Sequence, residues 1–151
     1  GDSITLPDGS VWVISDFYHN AVKNWTKQQS VTIMPNSQWF PRFGKTDYAY
    51  MIHNASTNDY VETNISQGPL KSSPATLQIV KIDKYANTVY LTNNSCFRVS
   101  QTQSNHVVFN GWQLGDYVIL GKNNTGWFSF GNQDIIINVS ADNYAEAQRA
   151  Y

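Results

Sequence analysis

A single cysteine, Cys96, stands in the whole 151-residue chain, so no intramolecular disulfide can form and no paired thiols exist for a structural zinc. The histidines are His19, His53 and His106, none at metal-ligand spacing, and no metal or other cofactor is expected. Charge is also scarce: charged residues make up 14% and the net charge is −1. The Lys and Arg side chains are scattered between Lys23 and Arg149 without forming a stripe. A nucleic-acid partner, which needs a basic stripe to displace phosphate counterions, is therefore not expected. An anionic membrane surface would need clustered basic residues as well. No apolar run approaches the roughly 18 residues of a transmembrane helix. Also missing are a G-x-S-x-G elbow, a phosphate loop and a dinucleotide fingerprint.

What the chain has in abundance is aromatic and β-branched residues punctuated by Asn, Gly, Pro and Ser. Hydrophobic residues are 41% and aromatics 14%, which is apolar enough to fold and the reverse of a disordered composition. Such a mixture predicts an all-β protein.

The strongest sequence signal is an internal repeat. Residues 6–15 (LPDGSVWVIS) answer residues 91–100 (LTNNSCFRVS), setting Leu6 with Leu91, Ser10 with Ser95, Trp12 with Phe97 and Ile14 with Val99. Residues 25–33 (WTKQQSVTI) answer residues 112–120 (WQLGDYVIL), setting Trp25 with Trp112, Val31 with Val118 and Ile33 with Leu120. A third block pairs Tyr50, Ile52 and Asn54 with Phe128, Phe130 and Asn132, and a fourth pairs 64–66 with 138–140. Block order is kept and length varies between blocks, as loops vary while strands stay fixed.

The expected organisation follows. A first β-module spans residues 2–66, a linker (QGPLKSSPA) residues 67–75, a second module residues 76–140, and a short helix residues 141–151. Each copy has a tight turn at Pro7–Ser10 or Thr92–Ser95, a strand after it, then a tryptophan and further strands. The later strands are expected near 49–53 and 59–65 in the first copy, and near 126–130 and 134–139 in the second. The second copy gains an opening hairpin, Leu77–Ile82 with Thr88–Leu91, whose first strand has no counterpart before Ile4. Strands of this number and spacing predict a tandem duplication of a small SH3-like or OB-like barrel. Units of about 60 residues hold marginal cores alone, so the copies should pack together. In the tail, Tyr144 and Tyr151 would share one helical face.

The pattern D-G-S-x-W followed by W-x-x-G-D resembles small exported bacterial proteins of uncharacterised function. The first copy keeps Asp8-Gly9-Ser10-Val11-Trp12 but has Gln28-Gln29 for Gly-Asp; the second keeps Trp112–Asp116 but has Asn93-Asn94 in its turn. The resemblance implies the fold and an exported location (periplasm, cell surface or secreted), and carries no activity. A first residue that is glycine, low charge and a single thiol accord with export. Asn-x-Ser/Thr sequons, such as those at Asn24 and Asn138, are expected by chance in a chain this rich in those residues.

Cys96 replaces Val11 of the other copy in mid-strand, as a packed, unreactive thiol would. Asp16, Asp47, Asp59, Glu62 and Asp134 could supply a glycosidase pair, but nothing in the sequence brings two together. The main irregularity is an insertion of the first copy between Met34 and Tyr50, carrying Trp39, Phe40, Phe43 and Tyr48. Rings on an extra loop either cover a barrel opening or contact a partner such as a glycan or protein. These four residues are the candidate ligand contacts. The expected function is a non-enzymatic, extracytoplasmic binding or structural module. The alternative is a cell-envelope polysaccharide hydrolase using an Asp/Glu pair.

Overall fold

Residues 2–36, 47–124 and 131–151 are described by a computed structural model, and eleven strands and two α-helices lie among them. The protein is predominantly β. In the first half, β1 (Ser3–Thr5), β2 (Val11–Ile14), β3 (Val31–Pro35), β4 (Tyr50–Asn54) and β5 (Asp59–Gln67) form an open antiparallel sheet in the order β1-β2-β5-β4-β3. A 3-10 turn (Asp16–Tyr18) and the short α1 (His19–Val22) link β2 to β3. In the second half, β6 (Leu77–Asp83), β7 (Thr88–Leu91), β8 (Cys96–Val99), β9 (Tyr117–Lys122), β10 (Asp134–Asn138) and β11 (Asn143–Arg149) close into a barrel ordered β10-β11-β8-β7-β6-β9. Helix α2 (Gln103–Asn110) lies between β8 and β9, and the Thr102 hydroxyl caps it by accepting from the Asn105 N–H.

Leaving out β6, the barrel runs β7-β8-β11-β10-β9, which is the strand order of the open sheet. Local chemistry repeats with it. Leu6 N–H donates to Ser10 O at 2.9 Å and Leu91 N–H to Ser95 O at 3.0 Å. The turns between them are closed by Asp8 and Asn93, whose Oδ1 atoms accept from the Ser10 and Ser95 amides. Gly9 (φ 84°) and Asn94 (φ 66°) take the left-handed conformation these turns require. Trp25 Nε1 donates to Asp59 Oδ2 at 3.0 Å, and Trp112 Nε1 to Asn143 Oδ1 at 2.8 Å. Asn36 Nδ2 reaches Glu62 Oε2 at 2.8 Å, as Asn123 Nδ2 reaches Glu146 Oε2 at 2.7 Å. Gln28-Gln29 and Gly115-Asp116 make the same turn: Gln28 has φ 73° and Gly115 φ 87°, and Gln29 and Asp116 hold Asn54 and Asn138.

Alternation of side chains builds two cores. One fills the barrel: Ile79, Val89, Leu91, Phe97, Val99, Trp112, Val118 and Ile136 lie in it together with Phe109 of α2. The other combines Trp12, Ile14, Ile33, Ile52 and Val61 of the open sheet with Ile119, Ile135 and Ile137 of the barrel. The continuous apolar run Ile135-Ile136-Ile137 is thus buried on both faces, and the barrel wall completes the open sheet's core. The linker is tied down rather than loose. Leu70 N–H donates to Asp8 O at 2.8 Å, and Ser73 Oγ donates to Pro7 O at 2.9 Å.

One expectation is corrected. Residues 141–151 do not form a helix: 143–149 are strand β11, paired with β10 and β8. Ala, Glu, Gln and Arg favour helix when isolated. Here Ala145 and Ala147 point inward, fully buried, and the barrel needs their small side chains and main-chain bonds. Registers give matching positions in the two sheets: Ile33 faces Ile52 and Leu120 faces Ile136, so β4 sits in its sheet as β10 does in the barrel, with Asn54 placed like Asn138. Likewise Ile52 faces Val61 and Ile136 faces Ala145, which places Asn64 like Gln148. Phe128, Phe130 and the strand expected near 126–130 lie outside the described residues.

Candidate functional site

A groove of about 1110 Å³ runs between the edge strands of the open sheet and the flank of the barrel. The β1 edge contributes Thr5 and Leu6, the β3 edge Val31 to Ile33, and the turn before β3 contributes Lys27 to Ser30. On the barrel side it meets Ile119, Leu120, Gly121 and Phe97. The volume slightly exceeds the roughly 300–1,000 Å³ of ordinary small-ligand pockets.

A glycine sets how closely β3 approaches the barrel at one end of the groove. Gly121 lies so close to β3 that a β-carbon there would stand 2.5 Å from Ile33 O, and glycine permits the contact that fixes the groove's inner end. Asn124 Nδ2 donates to Pro35 O at 3.1 Å beside it. At the rim, Lys122 Nζ pairs with Asp134 Oδ1 at 2.8 Å. Lys27 and Arg149 also line the groove, and neither has an ion-pair partner among the described residues. Its open charge is therefore positive.

A second, smaller cavity of about 220 Å³ lies beside Tyr50, Ile65, Ile137 and Asp142. Burial, helped by the neighbouring Tyr144 and Asp142, pushes the Tyr50 phenol far above its ordinary range, so it stays neutral. Its ring packs edge-on against Trp12 with centroids 5.7 Å apart, which marks Tyr50 as part of the core.

Of the candidate ligand contacts, Trp39, Phe40 and Phe43 lie outside the described residues. Tyr48 is half-buried, its carbonyl accepts from Asn36 Nδ2 at 2.9 Å, and it does not line the groove. The candidate carboxylates are dispersed. Glu62 is buried and holds Asn36; Asp59 accepts from Trp25, and hydrogen bonds from Thr57 and Trp25 keep its carboxyl below the usual range. Asp16 and Asp47 are exposed, and Asp134 alone lines the groove, bound to Lys122. His19 contacts Asp2, and His53 stacks on Tyr60 at 4.2 Å. Among the described residues no three metal-ligating side chains converge. Cys96 is fully buried.

The groove was not visible in the sequence, because its walls come from segments over a hundred positions apart, such as Leu6 and Leu120. One signal did point toward it: the hairpin strand present in the second half of the chain and unmatched in the first. The chain matches no family model, no curated protein and no solved structure.

Proposed function

We propose that this chain is a tandem duplication of one small β-barrel module that serves as a non-enzymatic, extracytoplasmic binding or structural unit. The duplication is supported by the shared strand order and by the recurring tryptophan, asparagine–glutamate and turn hydrogen bonds. Low charge and a single buried thiol support the location.

Binding rests on one observation: a large, mainly apolar groove whose one carboxylate, Asp134, is already paired with Lys122. Glycoside hydrolysis needs two carboxyl groups about 5 to 9.5 Å apart across the substrate, and among the described residues no second carboxylate lines this groove. The aromatic residues Trp39, Phe40, Phe43 and Tyr48 offer a further contact with a glycan or protein partner.

The test is retention of cell-envelope glycan and protein fractions on the immobilised chain, beside Thr32→Arg, which fills the groove from β3, and Trp39→Ala. Retention by the native chain, reduced at least tenfold in Thr32→Arg and with no reducing ends released, is the expected result. Release of reducing sugar would instead establish the hydrolase.

A further inference from the structure

In the barrel, β6 fills the place between β7 and β9. Ile79 lies opposite Leu91, Asp83 opposite Thr88 and Leu77 opposite Val118. Through the correspondence of the two units, the same place in the first unit is flanked by Ser3–Leu6 on one side and residues 28–31 on the other. No strand among the described residues takes it, and the groove lies there, lined by Thr5, Leu6, Gln28, Gln29, Ser30 and Val31.

Burial records the difference. Val89, Leu91 and Val118, which β6 covers, are 0%, 1% and 0% exposed. Their counterparts Ile4, Leu6 and Val31 are only partly buried. Main-chain groups are left open as well. Ala55 N–H donates to Ser30 O, so Ser30 and Thr32 address β4, and alternation turns the N–H and C=O of Val31 and Ile33 toward the groove. In the barrel, Ile79 N–H donates to Asp116 O at 3.0 Å, and Ile79 O accepts from Gly115 N–H at 2.8 Å. The matching atoms of the first unit are Gln29 O and Gln28 N–H.

We propose that the groove receives an extended segment of a partner polypeptide, which adds as a strand between β1 and β3 and closes the open sheet as β6 closes the barrel. The inference rests on the binding-module reading and names the ligand class. Strand addition draws affinity from main-chain bonds and specificity from alternate side chains. The β6 template defines those as aliphatic groups where Leu77 and Ile79 stand, and Lys27 and Arg149, without an ion-pair partner among the described residues, favour an acidic flank. One difference orients the contact. Pro7 occupies the place of Thr92, whose N–H donates to Gln78 O and whose hydroxyl accepts from Gln78 N–H. Proline cannot donate, so the incoming strand is held chiefly by β3 and the turn before it.

The probe is the synthetic peptide of residues 76–83 (TLQIVKID), added to the intact chain, with its Ile79→Pro form as control. Amide exchange is followed residue by residue by NMR. Saturating peptide should slow exchange at Gln28 and Val31 at least tenfold, and the Ile79→Pro peptide should not. Unchanged exchange, or equal effects of the two peptides, overturns the proposal. It is also overturned if these amides are already protected in a dimer detected by sedimentation, since a second copy would then be the occupant. Retention of an envelope ligand that is lost in Thr32→Arg, with an inert peptide, would sink strand addition and leave the binding-module reading standing.

Discussion

Trp25 and Trp112 show how one residue type is used at two depths. Trp112 is 3% exposed, lies in the barrel core next to Phe109 at 5.7 Å, and donates to the half-buried Asn143. Trp25 is half-buried, and its acceptor Asp59 reaches solvent. Both acceptors are half-buried, but replacing the buried Trp112 ring leaves a void in the barrel core, whereas water reaches the half-buried Trp25 site. Trp112→Phe should therefore cost about 2 kcal/mol or more, and Trp25→Phe about half as much or less, read as shifts of the urea midpoint. Equal costs would contradict the assigned burial. That both tryptophans anchor packing was legible in their common spacing from neighbouring aliphatics. The identity of their acceptors was not, because Asp59 and Asn143 lie over thirty residues downstream of each ring.

Turns and strand ends decide what each element can be. The Gly115-Asp116 turn puts glycine at φ 87°, whereas Gln28 adopts φ 73° at the matching point. A side chain in the left-handed region costs about 1 kcal/mol. Gln28→Gly should therefore raise stability by about 0.5–1 kcal/mol, measured by thermal or urea unfolding. A loss would mean that the Gln28 side chain makes a compensating contact. The spacing of Tyr144 and Tyr151 suggests a helix where β11 forms, yet the sequence also carries a signal for the strand. Residues 58–64 (NDYVETN) and 142–148 (DNYAEAQ) set Tyr60 with Tyr144 and Glu62 with Glu146, and Asn58 and Asp142 both take positive φ. The glutamates matter because each holds an asparagine at the end of a paired strand, Asn36 or Asn123.

Across the whole molecule, the two units share a wall. Ile119, Ile135 and Ile137 leave the barrel's outer face to complete the core under the open sheet. That arrangement depends on the approach of β3 to β9 at Gly121, where a methyl group would meet both Ile33 O at 2.5 Å and the Ile135 side chain at 2.9 Å. Gly121→Ala should separate the units locally and cost about 2 kcal/mol or more, with faster exchange of amides in β3 and β9. A change below about 0.5 kcal/mol would show that the contact is not needed to hold the units together. The same packing leaves the edges of β1 and β3 flanking an open groove, while β6 closes the other unit.

The sequence alone determined the all-β character, the similar turn, strand and tryptophan blocks in its two halves and the additional hairpin strand of the second half. These follow from local periodicity, turn chemistry and spacing, which each short segment carries within itself. Only the tertiary structure decided that residues 143–149 are strand, that the isoleucine run is buried on both sides, and that the two units enclose a groove. Those outcomes depend on which distant edges meet. An alanine or a glycine such as Ala147 or Gly121 acquires its meaning from the neighbour folded against it.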